Sequence, residues 1–294
     1  MTHTAPTWRQ QALPVATVLL AVLLLWYAGA VGLNAAGAIE RVLAPKGPYS
    51  RSELINTTLN MQRPVLPAPH QVVADLYASL ADWPLDSPRN LLYHAAVTAQ
   101  STLVGFVLGT LLGMVLAAAI VHSRTLDRAL LPWIVASQTV PVLAIAPIVL
   151  VILGSLGFSG MAPKATIAMY LCFFPVTVAM VQGLRAPQRI ETELLHTYAA
   201  SRWQAFWLLR LPSALPFLFP ALRVAVAAGL VGAMVAELPT GAQAGLGARL
   251  LTGSYYGNTV GIWSALVLSA LLGLGLTAAV AGVEWLVLRS RRPA

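Results

Sequence analysis

Residues 96–121 read AVTAQSTLVGFVLGTLLGMVLAAAIV, an unbroken run with no charged side chain. Coiled as an α-helix at 1.5 Å per residue, it extends about 39 Å, more than the ~30 Å hydrocarbon core of a bilayer. In lipid only a helix or a closed barrel satisfies every backbone donor and acceptor. The run therefore predicts a transmembrane helix. Gly105, Gly109 and Gly113 recur every four residues, so they share one stripe of that helix, where a second helix can approach closely.

Five further stretches pass the same test, at about 12–36, 129–153, 164–184, 214–238 and 260–288. Composition agrees: 58% of the 294 residues are hydrophobic and 10% charged, against roughly a quarter charged in soluble domains. These values exclude a coiled coil, a disulfide-stapled secreted domain and an ordinary cytosolic enzyme. Cys172 is the single cysteine, so neither a disulfide nor a multi-cysteine metal site is available. The net charge of +8 does not point to nucleic acid, because the cations are dispersed between apolar blocks rather than gathered on one face. The expected fold is an all-α integral membrane protein with six transmembrane helices.

The charges between spans predict its orientation. Arg9, then Arg124 and Arg128, then Arg185, Arg189, Arg202 and Arg210, then Arg289, Arg291 and Arg292 fall in alternate connections. The short connections of the other side hold only Lys164 and Arg249. Arg41, Lys46, Arg51, Arg63 and Arg89 lie in a long segment, which counts little in the positive-inside rule. Both termini are thereby expected in the cytoplasm. Arg9 followed by a Leu-rich run and Ala28-Gly29-Ala30 also has the form of a signal peptide, although the apolar run continues through Val31-Gly32-Leu33.

The chain divides into a tail and first span (1–36), an outside segment (37–95) and a five-helix core (96–290). In the outside segment, Gln71 to Leu80 reads as an amphipathic helix with Val72, Val73, Leu76 and Leu80 on one face, expected to lie along the outer membrane surface or to cover the bundle. The third span contains Pro132, Pro141 and Pro147, with Gln138 and Thr139 beside Pro141. Kinked backbone at membrane depth is tolerated where it is buried or lines a cavity, so this span is either a pathway wall or a packing element. Three ionisable residues fall within spans: Glu237, Glu284 and Arg223. Glu284 is expected to snorkel or pair with Arg289, and Arg223 to be interfacial. Glu237 lies at the outer end of the fifth span, where it serves as a cap on the helix end unless a partner or pathway uses it. Pathway polarity would come from Gln138, Thr139, Thr177 and Gln182, with Phe173 and Phe174 as gate or packing side chains.

An enzyme finds no support. His3, His70, His94, His122 and His196 are scattered without metal spacing, and no G-xxxx-G-K-[ST] loop cradles phosphates. A stand-alone secondary transporter is disfavoured by the scarcity of intramembrane acids and the lack of an inverted half-repeat.

Residues 191–223 read ETELLHTYAASRWQAFWLLRLPSALPFLFPALR, too polar at the start to span. Leu194, Leu195 and Tyr198 share one helical face and Trp203, Phe206 and Trp207 another, and Pro212 is expected to end the pattern. A helix–turn–helix projecting from the cytoplasmic face is a docking surface. Here the chain resembles the permease subunits of binding-protein-dependent ABC importers, whose coupling-loop signature runs E-A-A, three residues, G, nine residues, I, any residue, L-P. Glu193-Leu194-Leu195, Ala199, Leu209 and Leu211-Pro212 occupy those places, with leucines for two alanines and alanine for the glycine. Leu66-Pro67-Ala68-Pro69, Pro141-Val142-Leu143-Ala144, Ala236-Glu237 and Gly245-Leu246-Gly247 resemble further motifs of the nitrate/taurine/aliphatic-sulfonate branch. The likeness covers roughly residues 64–290, and residues 37–63 look like an insertion.

The resemblance implies a type I importer permease whose coupling loop, within 186–213, sits in a groove of an ATPase subunit. Glu193, Leu194, Leu195, Tyr198, Ala199, Arg202, Leu211 and Pro212 would form the contact, with Trp203 and Phe206 as apolar anchors. It further implies that ATP and Mg2+ are bound by that ATPase, with no cofactor in this chain. The other expected partners are a second permease copy or a paralogous permease, a periplasmic substrate-binding protein and membrane lipid, with no nucleic acid. The location implied is the bacterial inner membrane, Glu237 lying near the periplasmic gate. A sulfonate, nitrate or pyrimidine-type precursor would be the solute.

Overall fold

The computed structural model describes residues 8–239 and 244–289. Residues 240–243, His3, Arg291 and Arg292 lie outside the described residues, as does the side chain of Arg9. Every described element is helical: α1 (Trp8–Ala38), α2 (Arg51–Leu59), α3 (Pro69–Ala81), α4 (Leu91–His122), α5 (Arg124–Ser137), α6 (Val142–Ser155), α7 (Met161–Leu184), α8 (Arg189–Thr197), α9 (Arg202–Ala205), α10 (Leu211–Glu237), α11 (Leu246–Tyr256) and α12 (Thr259–Arg289). Among the described residues, five continuous helical stretches are long and apolar enough to cross a membrane; they contain α1, α4, α7, α10 and α12.

The stretch at 129–153 is not one straight helix. It forms α5 and α6, bent by 103° at the break between them, and the pair makes a sixth span only when counted together. Pro141 explains the break. Its ring drives Val140 out of helical conformation, and residues 138–140 close tight turns onto Val135, Ala136 and Ser137. Tyr170 of α7 then donates its hydroxyl hydrogen bond to the Ser137 carbonyl, so the end of α5 is tied down.

Contacts divide the chain into two compact units, one holding residues up to Leu91 with Arg249–Val267, the other Leu92–Ala248 with the chain from Leu268 onward. In the second unit, α7 lies between α4 and α10. The glycine stripe of α4 faces α7: a Cβ at Gly109 would fall 2.6 Å from that of Cys172, and one at Gly113 2.8 Å from the Phe173 carbonyl. Gly229 and Gly232 of α10 meet the same helix at Cys172 and Leu171. Lipid tails are as apolar as leucine, so close backbone approach rather than hydrophobic burial drives this association. The core between these helices holds Cys172, Val176, Met180, Leu184, Ala214, Leu218 and Ala225.

Glu284 does not pair with Arg289. It forms an ion pair with Arg223, while the Arg289 guanidinium lies over the Trp285 ring at 4.8 Å. Glu284 and Arg289 are five apart and project about 140° from each other, which leaves Glu284 to the Arg223 side chain of α10.

The first unit contains α1, α2, α3 and the start of α12. Asn34, 1% exposed, organises it: its amide donates to the carbonyls of Leu66 (2.8 Å) and Thr58 (3.3 Å) and accepts from the N–H groups of Val65 (2.7 Å) and Leu66 (3.2 Å). Residues 37–63 are thus folded onto α1, and α2 is started by a reciprocal Ser50–Glu53 capping box. Trp26 donates to the Pro67 carbonyl (3.0 Å) and packs against Trp263 at 4.9 Å. In α3, Val72 is buried but Val73 is 66% exposed, which corrects the shared face expected for them. Successive helical residues diverge by about 100°, and Val72 takes the packed side, where its carbonyl accepts from Ser264 (3.3 Å).

Candidate functional site

Two places in the second unit gather the residues expected to act. The first is the loop between α7 and α10. Its helix α8 begins with the Glu191 carboxylate accepting from the Gln188 N–H (2.7 Å) and carries an Arg189–Glu193 pair at 2.7 Å. It ends in a Schellman motif: Ala200 N–H donates to the Leu195 carbonyl (3.0 Å) and Ala199 N–H to the His196 carbonyl (2.9 Å). Such a cap requires a left-handed residue, and Ala199 has φ of +52°. The glycine of the family signature falls at this position because glycine adopts that conformation without a Cβ clash. Ser201 and Gln204 form the capping box of α9.

Pro212 does not end the helix. Phe206–Arg210 form a wide π-type turn that leads directly into α10, and the helical path runs from Arg202 to Glu237. Proline removes one i→i−4 bond, and a local widening of the turn accommodates that loss. Phe206 is buried against His122, with ring centres 5.3 Å apart, while Trp203 stacks on Phe206 and meets Trp207 edge-on. Leu194, Tyr198 and Trp203 are 56%, 77% and 65% exposed. Glu193 and Arg202 are exposed, Leu195, Pro212 and Leu211 half-buried, the last packed on the core. The loop therefore presents large apolar groups beside charges, which is the composition of interface anchors rather than of a solvated turn.

The second place lies at the opposite end of α10. Glu237 is completely buried. Its carboxylate accepts from the Thr98 hydroxyl (3.0 and 3.1 Å) and the Gly247 N–H (2.8 Å), and it pairs with Lys164 at 3.5 Å. Lys164 also donates to the Ala244 carbonyl (2.8 Å), Leu246 N–H to Thr98 (2.9 Å) and Gly245 N–H to His94 Nδ1 (3.0 Å). Helices α4, α7, α10 and the start of α11 are thereby joined through one polar cluster. Beside it is a cavity of about 940 Å³ whose wall includes Tyr93, Gln100, Ser101, Ser159 and Lys164.

Glu237 alone among the expected pathway residues reaches this cluster. Gln138 caps α5 and is exposed, as is Thr139, whose hydroxyl donates to the Ala136 carbonyl (2.8 Å). Phe173 and Phe174 are half-buried against the core. Thr177 is fully buried, its hydroxyl donating to the Phe173 carbonyl (2.7 Å). None of these five lines the cavity. Lys164, Thr98 and His94 were not expected in it. Their one legible signal is the coincidence of a lone cation and a lone acid, Lys164 and Glu237, at the same membrane end of two spans.

Helical stretches long and apolar enough to cross a membrane make this chain a multi-pass membrane protein. The sequence profile of the family described as "Binding-protein-dependent transport system inner membrane component" matches residues 109–292, and the chain belongs to that family. It is an ABC permease rather than a stand-alone secondary transporter, and a permease of this kind works with an ABC ATPase and a substrate-binding protein. Similar proteins include the formylaminopyrimidine transport permease protein ThiX of Halalkalibacterium halodurans, 32% identical over 78% of this chain and 86% of that one. The riboflavin transport system permease protein RibX of Chloroflexus aurantiacus is 31% identical over 76% and 80%. The taurine transport system permease protein TauC of Escherichia coli is 27% identical over 75% and 80%.

Proposed function

We propose that this chain is the membrane pathway of a bacterial inner-membrane importer for a small solute, with both termini in the cytoplasm. A periplasmic binding protein delivers the solute. The α8–α9 loop seats in a groove of the ATPase, which holds ATP and Mg2+ and performs the hydrolysis, while this chain has no catalytic residues. A second permease, identical or paralogous, completes the pathway. The names of the relatives support a small solute, heterocyclic in two of them and a sulfonate in the third.

The observation that carries this reading is the loop itself: the signature spacing from Glu193 to Pro212 coincides with a Schellman turn beside which Leu194, Tyr198 and Trp203 are exposed. ATP binding draws two such loops together, and the continuous helix from Arg202 to Glu237 conveys that movement across the membrane. Glu193→Lys, assayed in proteoliposomes with ATPase and binding protein, is expected to abolish ATP-driven uptake while the permease remains inserted. Unchanged uptake would refute coupling through this loop.

A further inference from the structure

The cavity beside Glu237 has about 940 Å³ and walls that include residues of α4, α6 and the start of α7, with Pro239 and Ala244, within the upper range of small-molecule sites. Its α6 wall is formed by Pro147, Leu150, Val151 and Gly154. Among the described residues its one charged wall group is Lys164. That charge is answered from behind: the ammonium donates to the Ala244 carbonyl and pairs with fully buried Glu237. The remaining polar lining is uncharged, with the Tyr93 hydroxyl, the Gln100 amide and the Ser159 hydroxyl set among Pro147, Leu150 and Phe158.

A small anion entering this space loses its hydration, and an unpaired cation is what best repays that cost; among the described residues the one cation of the wall is already paired. A flat ring with donors and acceptors on its edge meets both needs of the lining, since its faces contact aromatic and aliphatic groups and its edge bonds to hydroxyl and amide. We propose that this cavity is a solute site that takes an uncharged nitrogen heterocycle and rejects small sulfonates, Glu237 setting that preference by neutralising Lys164. The assignment rests on the importer-permease reading and names its solute class.

The test uses the full-length chain copurified with its ATPase in lipid nanodiscs. Riboflavin binding is followed by fluorescence anisotropy, with a formylaminopyrimidine and ethanesulfonate as competitors. Riboflavin is expected to bind, the pyrimidine to displace it and ethanesulfonate to fail. Gln100→Ala and the cavity-filling Val151→Trp should each weaken binding about tenfold or more, whereas Glu237→Gln should let ethanesulfonate compete about tenfold better by unmasking Lys164. Lys164→Met with Glu237→Gln should abolish that gain and shows whether a fold defect is responsible.

Displacement by ethanesulfonate at wild-type Glu237, or riboflavin binding unaffected by both cavity variants, would overturn the proposal. Absence of any binding would do the same, including the case in which a second permease copy fills the space. ATP-driven uptake measured in parallel separates the failures: retained uptake without binding removes the site and leaves the permease reading standing.

Discussion

Thr98 and Glu237, 139 residues apart in sequence, meet at 3.0 Å, and the same hydroxyl oxygen accepts the N–H of Leu246 at 2.9 Å. One threonine thus joins the end of α10 to the start of α11. The Gly245-Leu246-Gly247 motif gains a physical reason from this arrangement. Gly245 has φ of +134°, outside the range of ordinary side chains, and a Cβ at Gly247 would stand 3.0 Å from that of Glu237. The backbone must come close for the Gly247 N–H to reach the carboxylate.

Replacing Glu237 by Ala leaves the buried Lys164 ammonium without its counter-charge and is expected to cost about 3–5 kcal/mol. Lys164→Met combined with Glu237→Gln should cost less than that single change. Thermal unfolding of the purified chain checks the order, and equal losses would show that the pair is not coupled.

Gly109 has no room for a side chain against Cys172. Gly109→Val is expected to separate α4 from α7 and to lower stability by about 1–3 kcal/mol, whereas the same change at Gly275, with nothing near its Cβ position, should have a much smaller effect. Denaturant or thermal unfolding of both variants measures the difference.

Ala199 holds a left-handed backbone that costs an L-residue about 1–2 kcal/mol. Ala199→Gly relieves this strain at some cost in unfolded-chain entropy, for a net gain of up to about 1 kcal/mol. Slower amide exchange through α8 is the expected readout, and Ala199→Val should accelerate it.

The Arg223–Glu284 pair is part-exposed, so either reversal alone, Arg223→Glu or Glu284→Arg, should cost at most about 1 kcal/mol. Reversing both should recover most of the loss. A double-mutant cycle of melting temperatures tests this coupling.

Leu194→Asp with Trp203→Ala alters groups that are largely exposed and should leave unfolding nearly unchanged. If these side chains anchor the ATPase, copurification should nonetheless fall about tenfold or more. Undiminished copurification would place the anchors elsewhere in the loop.

What could be read from residues alone follows from local physics. Apolar length sets which segments form long helices, so the runs at 96–121 and 164–184 reappear within α4 and α7, and that at 214–238 as α10 up to Glu237. Four-residue glycine spacing fixes a helix stripe, and a motif with strict spacing marked the α8–α9 loop. The exceptions are also local in origin: Pro141 broke a predicted span, whereas Pro212 was absorbed by a widened turn.

The partners of those helices are a different matter. Apolar pattern along one chain determined a multi-span membrane protein, and the spaced motif marked the loop by which it resembles the importer permeases. Only the tertiary structure decided that Lys164 belongs with Glu237 rather than in a solvated connection, that Glu284 chooses Arg223 over Arg289, and that Thr177 is buried away from the cavity. Periodicity specifies which direction a side chain takes from its own helix axis. Which helix stands opposite, and therefore which charge is neutralised, depends on contacts between segments tens to more than a hundred residues apart.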